Sequence, residues 1–265
     1  LREVLDAHNR LLLIGVLRTG RGEAAEAARR IAERYGFDGT PGSLKKKGLC
    51  GITVTAPKGA DLPQEVIREE LASILEVGLP TALYQLPQIT ENRISPPTAA
   101  KLAQEYPNFY LFKDTGGEDR GGLDSHMAAD VFLVRGAEGS YYRWLRAAGG
   151  PYHGFLLSTA NCFADELSRI IESTDEGKLD RAKQLTDRLT GVVEGAFAAV
   201  ESLPFGNPFA NANKAMDHFM AHGASWRKAE PPMTHSGNRL PMEAMETVAG
   251  LLEHEHFIPE RGYLA

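Results

Sequence analysis

Lys113 closes the apolar run Phe109–Phe112 (FYLF) and is followed by Asp-Thr-Gly-Gly. A lysine at the end of a buried strand lies among apolar walls that disfavour its charged form. Desolvation of that kind favours a neutral amine able to add to a carbonyl. Tyr84 ends the preceding apolar run in Thr-Ala-Leu-Tyr-Gln-Leu-Pro. Its phenol suits proton transfer to and from a carbinolamine. The same placement also suits a lysine that simply reaches solvent. Thr115, Glu138 and Ser158 stand just after such runs too. Each fits a routine strand-end cap.

Chemistry at the ends of short runs requires elements that bring those ends together. Six runs have strand length and composition: Leu11–Leu17, Gly51–Ala56, Thr81–Leu86, Phe109–Lys113, Asp130–Val134 and Gly154–Ser158. Each is short and rich in branched or aromatic residues, as strands buried on both faces are. Between them the spacing predicts amphipathic helices over Gly22–Tyr35, Pro63–Glu76 and Pro96–Tyr106, with Ser95 as N-cap. Strands alternating with helices imply parallel βαβ units. The Gly- and Lys-rich stretch Gly36–Gly48 reads as an exposed loop. After Asn161 the period is helical over Ala164–Ser173, Lys178–Val200, Ala212–His222 and Pro241–His254. Gly15, Gly20 and Gly22 do not make the dinucleotide-binding fingerprint of a doubly wound sheet. Polar residues gathered at the C-terminal ends of strands favour a (β/α)8 TIM barrel with a C-terminal helical extension.

The segments LPTALYQLP, NFYLFKDTGG and GFLLSTAN together resemble the dihydrodipicolinate synthase/N-acetylneuraminate lyase family, class I aldolases and dehydratases on a (β/α)8 barrel. Tyr84 with Pro87, Lys113 to Gly116, and Gly154 to Asn161 match that family's fifth, sixth and eighth strands. The resemblance implies a lyase in which Lys113 forms a Schiff base with a 2-oxo acid such as pyruvate, while Tyr84 relays protons. It further implies that Gly136 borders the oxo acid and that Leu156 packs against it. No metal or organic cofactor is implied, because the lysine itself supplies the electron sink. The family habit implies a homo-oligomer, a dimer or a homotetramer.

Three departures accompany the matches. The family's second strand ends in a Gly-Thr-Thr/Ser-Gly-Glu turn that holds the oxo-acid carboxylate, and this chain carries no such turn. Six runs fall two short of a barrel's eight strands, so the first two strands are expected to precede Leu1. Ile89 stands where synthases acting on aspartate semialdehyde resemble one another in carrying an arginine. Pro57-Lys58-Gly59 replaces an aromatic pair. These last two changes argue against dihydrodipicolinate synthesis proper, whereas lyases acting on sugar-derived oxo acids resemble this chain more closely at Thr115, Glu138 and Ser158, a resemblance that implies contacts to substrate hydroxyls. The missing turn, together with these two changes, also leaves room for an alternative, a catalytically impaired barrel that binds 2-oxo acids or serves in assembly. The expected division is barrel units three to eight over 1–165, then the last barrel helix and the helical extension over 166–265.

His218 and His222 have the spacing of two metal ligands on one helical face, yet they lack the Glu and the third ligand of a metalloprotease helix, so no metal site is expected. A net charge of −6 over 265 residues argues against nucleic acid. No apolar run approaches the length that spans a bilayer. Two cysteines, Cys50 and Cys162, cannot form a disulfide scaffold, so a reducing cytoplasm is the expected location.

Overall fold

The computed structural model describes residues 2–119 and 131–264. By packing, the chain divides into two compact units: Leu1–Ala137 with Pro151–Phe155, and Glu138–Gly150 with Leu156–Ala265.

The first unit is built on six strands among the described residues: β1 Leu12–Val16, β2 Leu49–Thr55, β3 Thr81–Gln85, β4 Phe109–Asp114, β5 Phe132–Arg135 and β6 Gly154–Phe155. They pair in parallel in the order of the sequence, β1 to β6. A doubly wound sheet reverses direction at a switch point. Here each crossover lays the next strand on the same side, as barrel units do. β6 is shorter than the expected Gly154–Ser158, and Asp130 lies outside the described residues.

Side chains alternate between two faces. Ile52, Val54, Leu83, Phe112 and Leu133 fill one face and are buried. This face receives the helices Glu23–Tyr35, Gln64–Leu75 and Pro96–Glu105, with Gln64–Leu75 packed against both of the others. Ser95 caps the third of them as expected: its hydroxyl accepts the Thr98 N–H at 3.3 Å. Glu23–Tyr35 ends at Gly36, whose φ of 63° is one that glycine adopts at little cost. The opposite face carries Thr53, Thr55, Tyr84 and Lys113, and it is here that the polar chemistry collects.

One expectation is corrected. Gly36–Gly48 is not wholly an exposed loop, since Pro41–Lys45 forms a short helix that packs on β2 and buries Leu44. Proline presets the backbone for a first helical turn, and one apolar anchor among glycines and lysines suffices to hold so short a piece.

The second unit contains the helices Ala160–Asp175, Leu179–Glu201, Pro208–His222 and Met242–His254. Leu179–Glu201 packs against the other three, burying Leu189, Val192, Val193 and Val200. Two of these helices begin about one turn before their apolar period. Pro208–His222 starts at a cap in which Asn207 Oδ1 accepts the N–H groups of Phe209 (2.9 Å) and Ala210 (3.3 Å). Ala160–Asp175 starts before a kink at Phe163.

Candidate active site

In the sheet unit, Tyr84 on β3 is the direct register partner of Lys113 on β4. Parallel register partners point to the same face, and the Lys113 Nζ lies 4.2 Å from the centre of the Tyr84 ring. Both side chains are half-buried. Burial pushes the Tyr84 phenol above its ordinary value, opposed by the Thr115 hydroxyl beside it, so the phenol is protonated at neutral pH and can donate. Thr115 follows β4, where its N–H (3.2 Å) and its hydroxyl both donate to the Gln85 carbonyl.

Gly136 follows β5 and donates its N–H to the Asp114 carbonyl at 2.7 Å. A Cβ at this position would stand 2.2 Å from Thr115 Cγ2 and 2.8 Å from Lys113 Cε. The missing side chain therefore keeps space for the lysine stem. Four of the residues singled out in the sequence, Tyr84, Lys113, Thr115 and Gly136, thus lie together.

Beneath the end of β4 is a cluster that the sequence reading missed. Asp114, Asp119, Arg135 and Tyr152 are each at most 5% exposed. Arg135 grips Asp119 with two nitrogens (2.9 and 3.3 Å), and the Tyr152 hydroxyl lies 2.8 Å from Asp119 and 3.3 Å from Asp114. Burial, reinforced by the Asp119 charge, raises the Asp114 carboxyl, while the Gly116 N–H at 2.8 Å acts against the rise. Burial also pushes the Tyr152 phenol well up. The available signal was an arginine inside an apolar strand, because a buried guanidinium requires a carboxylate partner.

The loops after β2 and β3 are tied to one another. Asn92 donates to the carbonyls of Pro57 (2.7 Å) and Gly59 (2.9 Å), and Lys58 pairs with Glu91 at 2.9 Å. Ile89, in the one-turn helix Pro87–Thr90 that follows β3, is 53% exposed.

Glu138, Leu156 and Ser158 belong to the helical unit. Glu138 accepts hydrogen bonds from Tyr141 (3.0 Å) and Thr159 (2.9 Å). The Ser158 hydroxyl accepts from Asn213 at 3.0 Å, and Leu156 is exposed. His218 is buried, with Nε2 3.1 Å from the Trp226 carbonyl, and desolvation lowers its basicity. Among the described residues no group of three or more His, Cys, Asp or Glu is arranged to hold a metal ion. None of the helices among them is long and apolar enough to cross a membrane.

Sequentially ordered parallel strands, with a lysine and a tyrosine at the C-terminal ends of adjacent members, define an α/β protein of the barrel class. Residues 41–217 match the model of the dihydrodipicolinate synthetase family, and the chain belongs to that family. It is 27% identical over 166 residues to 4-hydroxy-tetrahydrodipicolinate synthase 1 of Streptomyces coelicolor, covering 59% of this chain and 50% of that protein. The chain spans about half the length of the first curated relatives it matches. Dihydrodipicolinate synthase of Thermotoga maritima superposes with a TM-score of 0.68 at 18% identity, over 96% of this chain and 78% of that one. A variant of the 2-keto-3-deoxygluconate aldolase of Sulfolobus solfataricus gives 0.63 at 18% identity, over 91% and 72%. At these identities the structural likenesses establish the fold.

Proposed function

We propose that the protein is a Schiff-base lyase acting on a 2-oxo acid, with Lys113 as nucleophile and Tyr84 as proton shuttle. The observation that carries this reading is the 4.2 Å approach of the Lys113 Nζ to the ring of its register partner. The neutral amine adds to the ketone carbon while the Tyr84 phenol gives its proton to the carbonyl oxygen, which becomes a hydroxyl. The phenolate then takes a proton from the nitrogen and returns it to that hydroxyl, which leaves as water. The resulting iminium draws the electron pair of a breaking carbon–carbon bond (aldol cleavage) or carbon–hydrogen bond (dehydration) into an enamine, which in dehydration expels the neighbouring hydroxyl as water. Protonation and hydrolysis of the enamine then free the product and restore the amine.

The substrate is proposed to be a sugar-derived oxo acid rather than the partners of dihydrodipicolinate synthesis. In support, exposed apolar Ile89 offers no cation for a second carboxylate, and Lys58 is paired with Glu91. Thr115, Glu138 and Ser158 are the proposed hydroxyl contacts, with Gly136 and Leu156 bordering the oxo acid, all five on the family resemblance. The same resemblance supports assembly as a dimer or tetramer, a cytoplasmic location and no cofactor.

The test is borohydride reduction of the protein with pyruvate, followed by mass mapping. An adduct on Lys113 is expected, absent in Lys113→Ala. In Tyr84→Phe, trapping is expected to slow by about 100-fold or more, the usual scale of a lost acid–base group. No adduct in the unaltered chain, or 2-oxo acid binding that survives Lys113→Ala unchanged, overturns the proposal and favours a binding protein without turnover.

A further inference from the structure

Asp114 is 1% exposed and follows the lysine directly, at the end of β4. Arg135 pairs with Asp119, and among the described residues Asp114 makes no ion pair of its own. Its Oδ1 accepts the Gly116 N–H at 2.8 Å instead, and the Tyr152 hydroxyl lies 3.3 Å from its Oδ2. A buried carboxyl without a cation costs more than an aliphatic side chain in the same space. Stability alone therefore does not account for it.

What the carboxyl holds is the turn after the lysine. Asp114 takes the Gly116 N–H, Arg93 donates to the Gly116 carbonyl at 3.4 Å, and Gln88 donates to the Thr115 carbonyl at 3.1 Å. A Cβ on Gly116 would stand 3.0 Å from Asp114 Oδ1 and 2.4 Å from Arg93 Nη1, so bare backbone closes here where a side chain would crowd both. Thr115 is thus pinned on either side. Its hydroxyl stands beside the Tyr84 phenol, and its Cγ2 borders the same space over Gly136 as Lys113 Cε.

We infer that Asp114 is a positioning residue: its carboxyl, steadied by the Tyr152 hydroxyl, fixes the turn that keeps Thr115 against the Tyr84 phenol. The inference rests on the Schiff-base reading, in which Tyr84 moves the protons. Proton transfer slows steeply when donor and acceptor are misplaced. Asp114 reaches the phenol only through the Gly116 N–H and Thr115. It therefore governs the rate of imine formation and not the affinity for the oxo acid.

The test measures borohydride trapping over a range of pyruvate concentrations in the unaltered chain, Asp114→Ala, Asp114→Asn and Tyr152→Phe, with circular dichroism alongside. In Asp114→Ala the maximal rate is expected to fall about 10- to 100-fold at unchanged half-saturation. Tyr152→Phe should act in the same direction by a smaller factor. Asp114→Asn, whose Oδ1 still accepts the Gly116 N–H, should restore most of the rate. Combined with Tyr84→Phe, neither Asp114→Ala nor Tyr152→Phe should slow trapping further, because the group they aim is gone. An unchanged maximal rate in Asp114→Ala overturns the inference. Further slowing on the Tyr84→Phe background overturns it too, as does loss of the folded spectrum in both Asp114→Ala and Tyr152→Phe, which identifies a structural cluster. A missing adduct in the unaltered chain overturns the Schiff-base reading first and this inference with it, an outcome distinguishable from the others.

Discussion

The Asp119 carboxylate is gripped by the Arg135 guanidinium and approached by the Tyr152 hydroxyl, all with almost no access to water. Removing Asp119 takes from the buried Arg135 guanidinium a carboxylate that it bonds twice. Asp119→Ala is therefore expected to cost about 3–5 kcal/mol, read as a lowered denaturation midpoint in urea. A loss below about 1 kcal/mol would contradict the pairing. Lys113 and Tyr84 were legible in the sequence because each ends an apolar run, where a polar residue is conspicuous. The Asp114–Asp119–Arg135–Tyr152 cluster was not. Its hydrogen bonds join residues 16, 33 and 38 positions apart, and no local period relates them.

Among the elements, β4 and β5 set the lysine through the bare backbone of Gly136. Its absent Cβ would meet Lys113 Cε and Thr115 Cγ2, both ends of side chains able to move. Gly136→Ala is expected to leave the fold intact, with an unchanged circular dichroism spectrum, and to slow pyruvate trapping at least 10-fold by displacing the lysine. Wild-type trapping in this variant would show that the space is not needed. Five of the six expected strands agree with the observed spans to within about two residues at each end, because parallel strands covered by helices announce themselves as short runs rich in branched and aromatic residues. β6 was overextended, since Leu156 and Leu157 continue its apolar character after pairing has ended. The helix Pro41–Lys45 escaped notice because five residues are too few to show a period. Lone prolines and caps, such as Asn207 with Pro208, decide helix starts that hydrophobic spacing places late.

At the scale of the whole chain, several tyrosines oppose ionisation. Burial and the neighbouring Cys50 push Tyr110 up to about 12, and burial raises Tyr84 and Tyr152 as well. An unfolded tyrosine titrates near 10. Because the folded values lie higher, the contribution of these groups to stability is fully present below about pH 10. It is lost as pH rises through the folded values, where the unfolded chain ionises first. The melting temperature is expected to fall between about pH 10 and 12, and a constant value across that range would refute the assignment. The division into two units has a spectroscopic side. The chain's two tryptophans, Trp144 and Trp226, both fall in the helical unit, whereas the sheet unit carries Tyr35, Tyr84, Tyr106, Tyr110 and Tyr152 and no tryptophan. Indole emission is therefore an intrinsic label for one half of the molecule. An unfolding curve recorded by tryptophan alone would miss a sheet unit that melted separately; agreement with a tyrosine-based signal would mark a single cooperative transition.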